Sequence, residues 1–144
     1  MKGPLFYSKI LLFGEYGIIK DSKGLSIPYN FYNGALKLSD NDTEQAKKSN
    51  TNLRKFAAYL EALQENNPEL VKFDIEALKA DISSGMYFDS SIPQGYGVGS
   101  SGALVAAIYD KYAHDKITVL ENLTRDKLLK LKKFFLLVWV GYFY

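Results

Sequence analysis

Residues 92 to 103, IPQGYGVGSSGA, place four glycines, two serines and a proline ahead of a small-residue apolar run. Glycine lets backbone N–H groups converge with no Cβ in the way, and a helix N-terminus adds unpaired donors and a partial positive charge. That combination holds phosphate. Ser100 and Ser101 fall where a helix should begin, so their hydroxyls can cap it, meet a phosphate oxygen or ligate a magnesium ion. The plain alternative is a glycine-rich turn with a serine N-cap, since short glycine patterns also arise by chance. The Walker loop is excluded, because it ends in Gly-Lys-Ser/Thr and no lysine occurs between Lys79 and Lys111. Gly97, Gly99 and Gly102 do satisfy G-x-G-x-x-G, and Glu121 lies near the separation at which a dinucleotide fold places its ribose-binding acid. That competitor ranks second. SSIPQ precedes Gly95 where a Rossmann turn would follow directly on a buried strand, and some ninety residues come before it.

The elements that must position this loop are legible from periodicity. LFYSKILLF (5 to 13), closed by Gly14, reads as a buried strand. YGIIK and LSIPY continue as short extended pieces around a DSKG turn, and YNGALKLSD reads as a further strand, so the first forty residues predict a meander. The polar stretch 39 to 52 is an exposed loop or the frayed start of the next helix. Leu53, Phe56, Ala57, Leu60 and Leu63 form one apolar helical stripe that ends before Pro68. Asp74 caps a second helix carrying Ile75, Leu78 and Ile82, with Gly85 as its stop. MYFDSSIP is extended and leads into the glycine loop, and ALVAAIYDKYA, apolar nearly all round, predicts an interior helix. DKITVLENL adds a strand or short helix. Thr124 caps a last helix along which Leu128, Leu131 and Phe135 align.

Composition bounds the function. With 144 residues, 47% hydrophobic and 15% aromatic, the chain has the core of one domain. A formal charge of +2 does not advertise a nucleic-acid or membrane surface, so the expected partner is a small molecule. There is no cysteine, and the single histidine, His114, rules out a histidine cluster and is assigned no role. The N-terminal residues lack a small-residue cleavage site, which predicts a cytoplasmic protein.

Pro93 to Ala103, PQGYGVGSSGA, resembles the second motif of the GHMP kinases, P-x-G-x-G-L-G-S-S-A. Lys9 to Tyr16, KILLFGEY, is similar to their first motif, a strand ending in Gly-Glu-His. Two motifs in order are far more specific than either alone, and the mevalonate kinase branch gives the nearest likeness, over roughly residues 5 to 133. The resemblance implies an α+β fold, the N-terminal lobe of a GHMP-type kinase (ribosomal protein S5 domain 2-like), with a mixed sheet and packed helices. It implies ATP- and Mg2+-dependent phosphoryl transfer to a hydroxyl of mevalonate or a similar metabolite. Gly95, Tyr96, Gly97, Val98, Gly99, Ser100, Ser101 and Gly102 would wrap the triphosphate, with Ser101 matching the magnesium-binding serine. Lys9 matches a lysine beside the transferred phosphate and the acceptor hydroxyl, and Glu15 would lie on the acceptor side. Tyr16 stands where the family has histidine. Taken alone, Lys9 reads as a solvated strand-edge lysine and Glu15 as a turn carboxylate.

The family's magnesium-ligating acid, its Ser-Ser-Gly-Leu-Asp type segment and its third motif have no counterpart in these residues. That predicts a domain over 1–133, an aberrant apolar tail over 134–144 (FFLLVWVGYFY) and an absent C-terminal domain. The expected result is a truncated, inactive lobe that self-associates through exposed apolar surface. The tail, shorter than the roughly 20 residues a bilayer needs, is either a terminal element packed on the core or the product of a frameshift. Three classes therefore stand: a small-molecule kinase or its fragment, a dinucleotide-binding domain, and a non-enzymatic α+β interaction module.

Overall fold

A computed structural model describes residues 3–13, 24–39, 43–116 and 124–143. The architecture is α+β: β1 (Phe6–Phe13), β2 (Leu25–Leu38), α1 (Glu44–Asn66), α2 (Ile75–Ser83), β3 (Met86–Ser90), α3 (Ser100–Tyr112), α4 (Arg125–Val138) and a π-helical turn (Trp139–Phe143). The strands form one antiparallel sheet in the order β1-β2-β3, so the α+β class is as expected but the mixed sheet that the resemblance implied is not found among the described residues. The chain divides into two compact units, Met1–Lys37 with Phe88–Ala107, and Leu38–Tyr87 with Ile108–Tyr144.

In the first unit β1 pairs antiparallel with β2, Ile10 opposite Ile27 and Lys9 opposite Pro28. Expected to be buried, β1 is an edge strand on which Tyr7 and Leu12 are exposed and Ser8 is the buried residue. The two extended pieces expected between residues 25 and 38 are one continuous strand. Pro28 does not interrupt it, because its fixed φ suits extended backbone and the ring removes only one donor. The register slips between Tyr7↔Asn33 and Ser8↔Tyr29, leaving Asn30, Phe31 and Tyr32 without partners on β1. This bulge displays an aromatic group in which the Tyr29 and Phe31 rings stack at 5.9 Å. Ser8, the buried polar residue among those described, is satisfied by donating to the Tyr29 carbonyl at 2.6 Å. Gly34 is bare for a packing reason: the Phe88 ring occupies the space a Cβ would need. Ala35, Ile92, Ala103, Val105 and Ala107 are buried in this unit.

The second unit holds the larger core. Thr43 starts α1, its hydroxyl accepting from the Ala46 amide at 3.2 Å, so the helix begins at Glu44 and the polar stretch 44 to 52 is helical. The expected stripe is buried, with Leu53, Phe56, Ala57 and Leu60 each no more than 2% exposed. Asp74 caps α2 through Ala77 N at 3.0 Å, and Gly85, with φ +93°, closes it. Asn50 on α1 donates to the carbonyls of Ile82 and Met86, satisfying backbone where α2 gives way to β3.

Thr124 caps α4 as expected, but the buried face differs from the one read from spacing. Phe134 and Val138 are the buried pair, whereas Leu128 and Phe135 are exposed. The stripe at 128, 131 and 135 is periodic, yet contacts with Phe73 and Tyr59 select the other side: the Phe134 ring lies 5.2 Å from that of Phe73, and Tyr59 donates to the Leu137 carbonyl at 2.6 Å. Residues 134–143 are helical, and Tyr142 packs edge-on against Phe56 at 4.8 Å. No helix among the described residues is long and apolar enough to cross a membrane.

Candidate functional site

The glycine loop lies in the first unit between Ile92, which is buried, and α3, which starts at Ser100. Gly95, Gly97 and Gly99 have φ of +82°, +68° and +86°. Left-handed backbone recurs at every second residue, and glycine adopts it without strain. A Cβ on Gly95 or Gly97 would meet nothing within 4 Å, so the loop's outer rim stands open. Tyr96, between them, is 80% exposed.

The inner rim is not open. Lys9 N–H donates to the Val98 carbonyl at 3.1 Å, which fastens the loop to the outer edge of β1. A Cβ on Gly99 would stand 3.0 Å from Lys9 Cγ and 3.3 Å from Lys9 N. A Cβ on Gly102, in the first turn of α3, would stand 3.8 Å from Lys9 Cε. Glycine is thus required at 99 for backbone geometry and for room, and the lysine stem runs along the start of α3.

Gly99 O accepts from Ala103 N at 3.0 Å, the bond that opens the helix. A turn spans Gln94 and Gly95; beyond it, among the described residues, no carbonyl or side chain accepts from the amides of residues 97–102. Buried backbone donors are almost always paired, so a run of unpaired amides is tolerable only where water or a ligand reaches them. Ser100 and Ser101, half-buried, occupy the first turn where the macrodipole favours an anion.

The structure places Lys9 against Val98, Gly99 and Gly102, while Gly95, Tyr96 and Gly97 form the exposed rim of the loop and Ser100 and Ser101 the first turn of α3. Glu15 lies outside the described residues, as do Tyr16 and Glu121. Among the described residues there is no group of three or more His, Asp or Glu side chains that could hold a metal ion. Of the residues named for magnesium, Ser101 supplies a hydroxyl in the α3 first turn, and a bound Mg2+ commonly takes its remaining ligands from phosphate oxygens and water.

The second unit has a different polar feature, which spacing did not single out. A shallow depression of about 450 Å³ is lined by Glu61, Gln64 and Glu65 of α1, by Asp74 and Glu76 at the start of α2, and by His114. Glu61, Gln64 and Glu65 recur at helical spacing and are visible in the sequence as the polar face of α1. Their approach to Asp74 and His114 depends on tertiary bonds, His114 N to the Lys72 carbonyl at 2.8 Å and Phe73 N to Gln64 Oε1 at 2.7 Å.

Comparison of the chain with protein-family models, curated proteins and solved structures gives no match.

Proposed function

We propose that the loop from Gly95 to Gly102, with Lys9, holds the triphosphate of ATP, and that these residues are the nucleotide-binding lobe of a GHMP-type small-molecule kinase, nearest to mevalonate kinases. The observation that carries this reading is the seating of Lys9. Two motifs some ninety residues apart in sequence meet through the Lys9 N to Val98 O bond, with the lysine side chain beside the unpaired amides of α3.

The residues fit the ligand they are proposed to take. Open left-handed glycines supply amides, the α3 terminus supplies positive potential, and Ser101 supplies a hydroxyl to magnesium. Bound Mg2+ would neutralise charge on the phosphate oxygens. Lys9 would hold its ammonium against the γ-phosphoryl oxygens, positioning the group and stabilising charge that builds there, which is most of what such transfer needs. The acceptor would be a small molecule with a free hydroxyl, of the mevalonate type. After α4 these residues include no Ser-Gly-x-Asp segment. We expect the 144 residues on their own to bind nucleotide without turnover.

Calorimetric titration with MgATP and, separately, NADH tests the assignment. MgATP should bind and NADH should not. Tight NADH binding would favour the dinucleotide reading, against which the antiparallel β1–β2 pairing already weighs. Failure of both ligands would favour an interaction module in which the glycines only turn the chain. A mevalonate-dependent ADP assay on the same chain tests the absence of turnover.

A further inference from the structure

In the second unit, α4 and the π-helical turn carry their polarity along the helix axis. Arg125, Lys127, Lys130, Lys132 and Lys133 all precede Phe134, with Asp126 the one acid, and 134–143 carries no charge. Five cations against one acid give α4 a charge of +4, so a chain of formal charge +2 leaves −2 on everything else. A modest total conceals a concentrated cationic end. The helix is held to its unit by the opposite side. Phe134 and Val138 are buried, Tyr59 donates to the Leu137 carbonyl at 2.6 Å, Lys133 pairs with Glu69 at 2.8 Å, and Tyr142 donates to the Asn52 carbonyl at 3.0 Å. Those bonds fix what faces outward. Phe135, Leu136, Trp139 and Val140 are between 41% and 57% exposed. At about 100° per residue, Arg125 and Lys132 fall on the same outward side, toward the N-terminal end.

We propose that this side docks on an anionic lipid bilayer, the uncharged end entering the boundary between headgroups and acyl chains and the cationic end lying over the lipid phosphates. Charge complementarity names the occupant. A protein that covered Arg125 and Lys132 would need to supply acids to pair with them, and nucleic acid offers phosphate but little to Phe135, Leu136 and Val140. A bilayer surface presents anions and hydrocarbon within a few ångströms of each other, matching the cationic and apolar ends of the helix. Lysine stems lie along apolar surface while their ammonium groups stay with phosphate, and tryptophan favours that depth.

Trp139 is the chain's single tryptophan, so its emission reports this surface directly. On titration with equimolar phosphatidylcholine and phosphatidylglycerol vesicles the emission should shift to the blue and the protein should sediment with them. Vesicles of phosphatidylcholine alone should bind at least tenfold more weakly, and added salt should release protein from the mixed vesicles. Each cation at an anionic surface is worth about fivefold in affinity, so Arg125→Glu with Lys127→Glu should weaken binding at least tenfold. Misfolding does not account for such a loss: glutamate at either position suits the helix dipole, and at 127 it completes a capping box with Thr124. Leu136→Ser with Val140→Ser should also weaken binding at least tenfold, with the circular dichroism spectrum unchanged and the tryptophan kept as reporter. Unchanged Trp139 emission with the mixed vesicles would overturn the proposal, as would equal binding to both kinds of vesicle. So would a dimer in sedimentation velocity that the mixed vesicles do not dissociate, or a DNA duplex bound in preference to them, since either gives the surface to another occupant.

Discussion

At the start of α2, Asp74 accepts from Ala77 N through its side chain and donates its own amide to the Tyr112 carbonyl at 2.9 Å. At the start of α3 the cap position is Gly99, which has no side chain to accept anything, and the amides before and after it have no acceptor among the described residues. Both segments begin a helix, but the first has the Ile75, Ala77 and Leu78 amides paired within the protein, and the second starts without a side-chain cap. Saturation serves stability: an N-cap side chain contributes about 1 kcal/mol, and closing a helix end against its neighbours fixes the packing of Leu78 and Ile82 behind it. Leaving donors open forgoes that contribution, and a fold retains such a place most readily where binding repays it.

Substitutions at the two helix starts should therefore have opposite signatures. Gly99→Val should have the largest effect, abolishing measurable MgATP binding in calorimetry, because its side chain would collide with Lys9 and a β-branched residue is strained at φ +86°. Lys9→Ala should weaken MgATP by about 1.5–3 kcal/mol, the worth of a charged hydrogen bond, while leaving the thermal midpoint within experimental scatter. Asp74→Ala should reverse the pattern, costing about 1 kcal/mol in urea unfolding with no change in nucleotide affinity. If Asp74→Ala weakens binding as much as Lys9→Ala does, the contrast between the two helix starts is lost.

The smallest effect is in pH dependence. The Asp81 carboxylate accepts from Lys111 Nζ at 2.7 Å and Tyr112 OH at 2.6 Å, which holds its pKa below the usual carboxylate range. The stability this gives is present above the unfolded value of about 4 and is lost as pH falls through the depressed folded value. Burial, and then Asp81 itself, pushes the Tyr112 phenol up, and burial raises Tyr59 and Tyr142. Their contribution is present below about pH 10 and is lost as pH rises above it. Urea midpoints against pH should fall at both ends, and Tyr112→Phe should flatten the alkaline limb.

Local rules make most of the frame legible. Thr43, Asp74 and Thr124 cap helices through bonds within their own first turn, Pro68 and Gly85 end two of them, and the α1 stripe is buried because one long helix repeats its own period. Features that spacing could not show are decided by partners distant in sequence. On α4 two apolar stripes compete, so spacing points to the wrong face, and only Phe73 and Tyr59 break the tie. The bulge at Asn30 to Tyr32 is a matter of register with β1, which a single strand's pattern cannot fix. At the candidate site the glycines and serines are visible as a run. That Val98 offers its carbonyl to β1, and that Gly99 is bare on account of Lys9, depend on the approach of two segments far apart in the chain.

The fastening of the loop has a kinetic consequence. Ser91 N is held by the Asn33 carbonyl at 2.9 Å on one side and Val98 O by Lys9 on the other, so only the short span from Pro93 to Gly97 is left without a tether. Ordering five residues costs on the order of 5–10 kcal/mol in backbone entropy, far less than folding a lobe around the ligand. Capture should therefore approach the rate at which ligand and loop collide, with a heat-capacity change near zero, and the Lys9 amide should keep the slow deuterium exchange of a strand whether or not the cradle is filled.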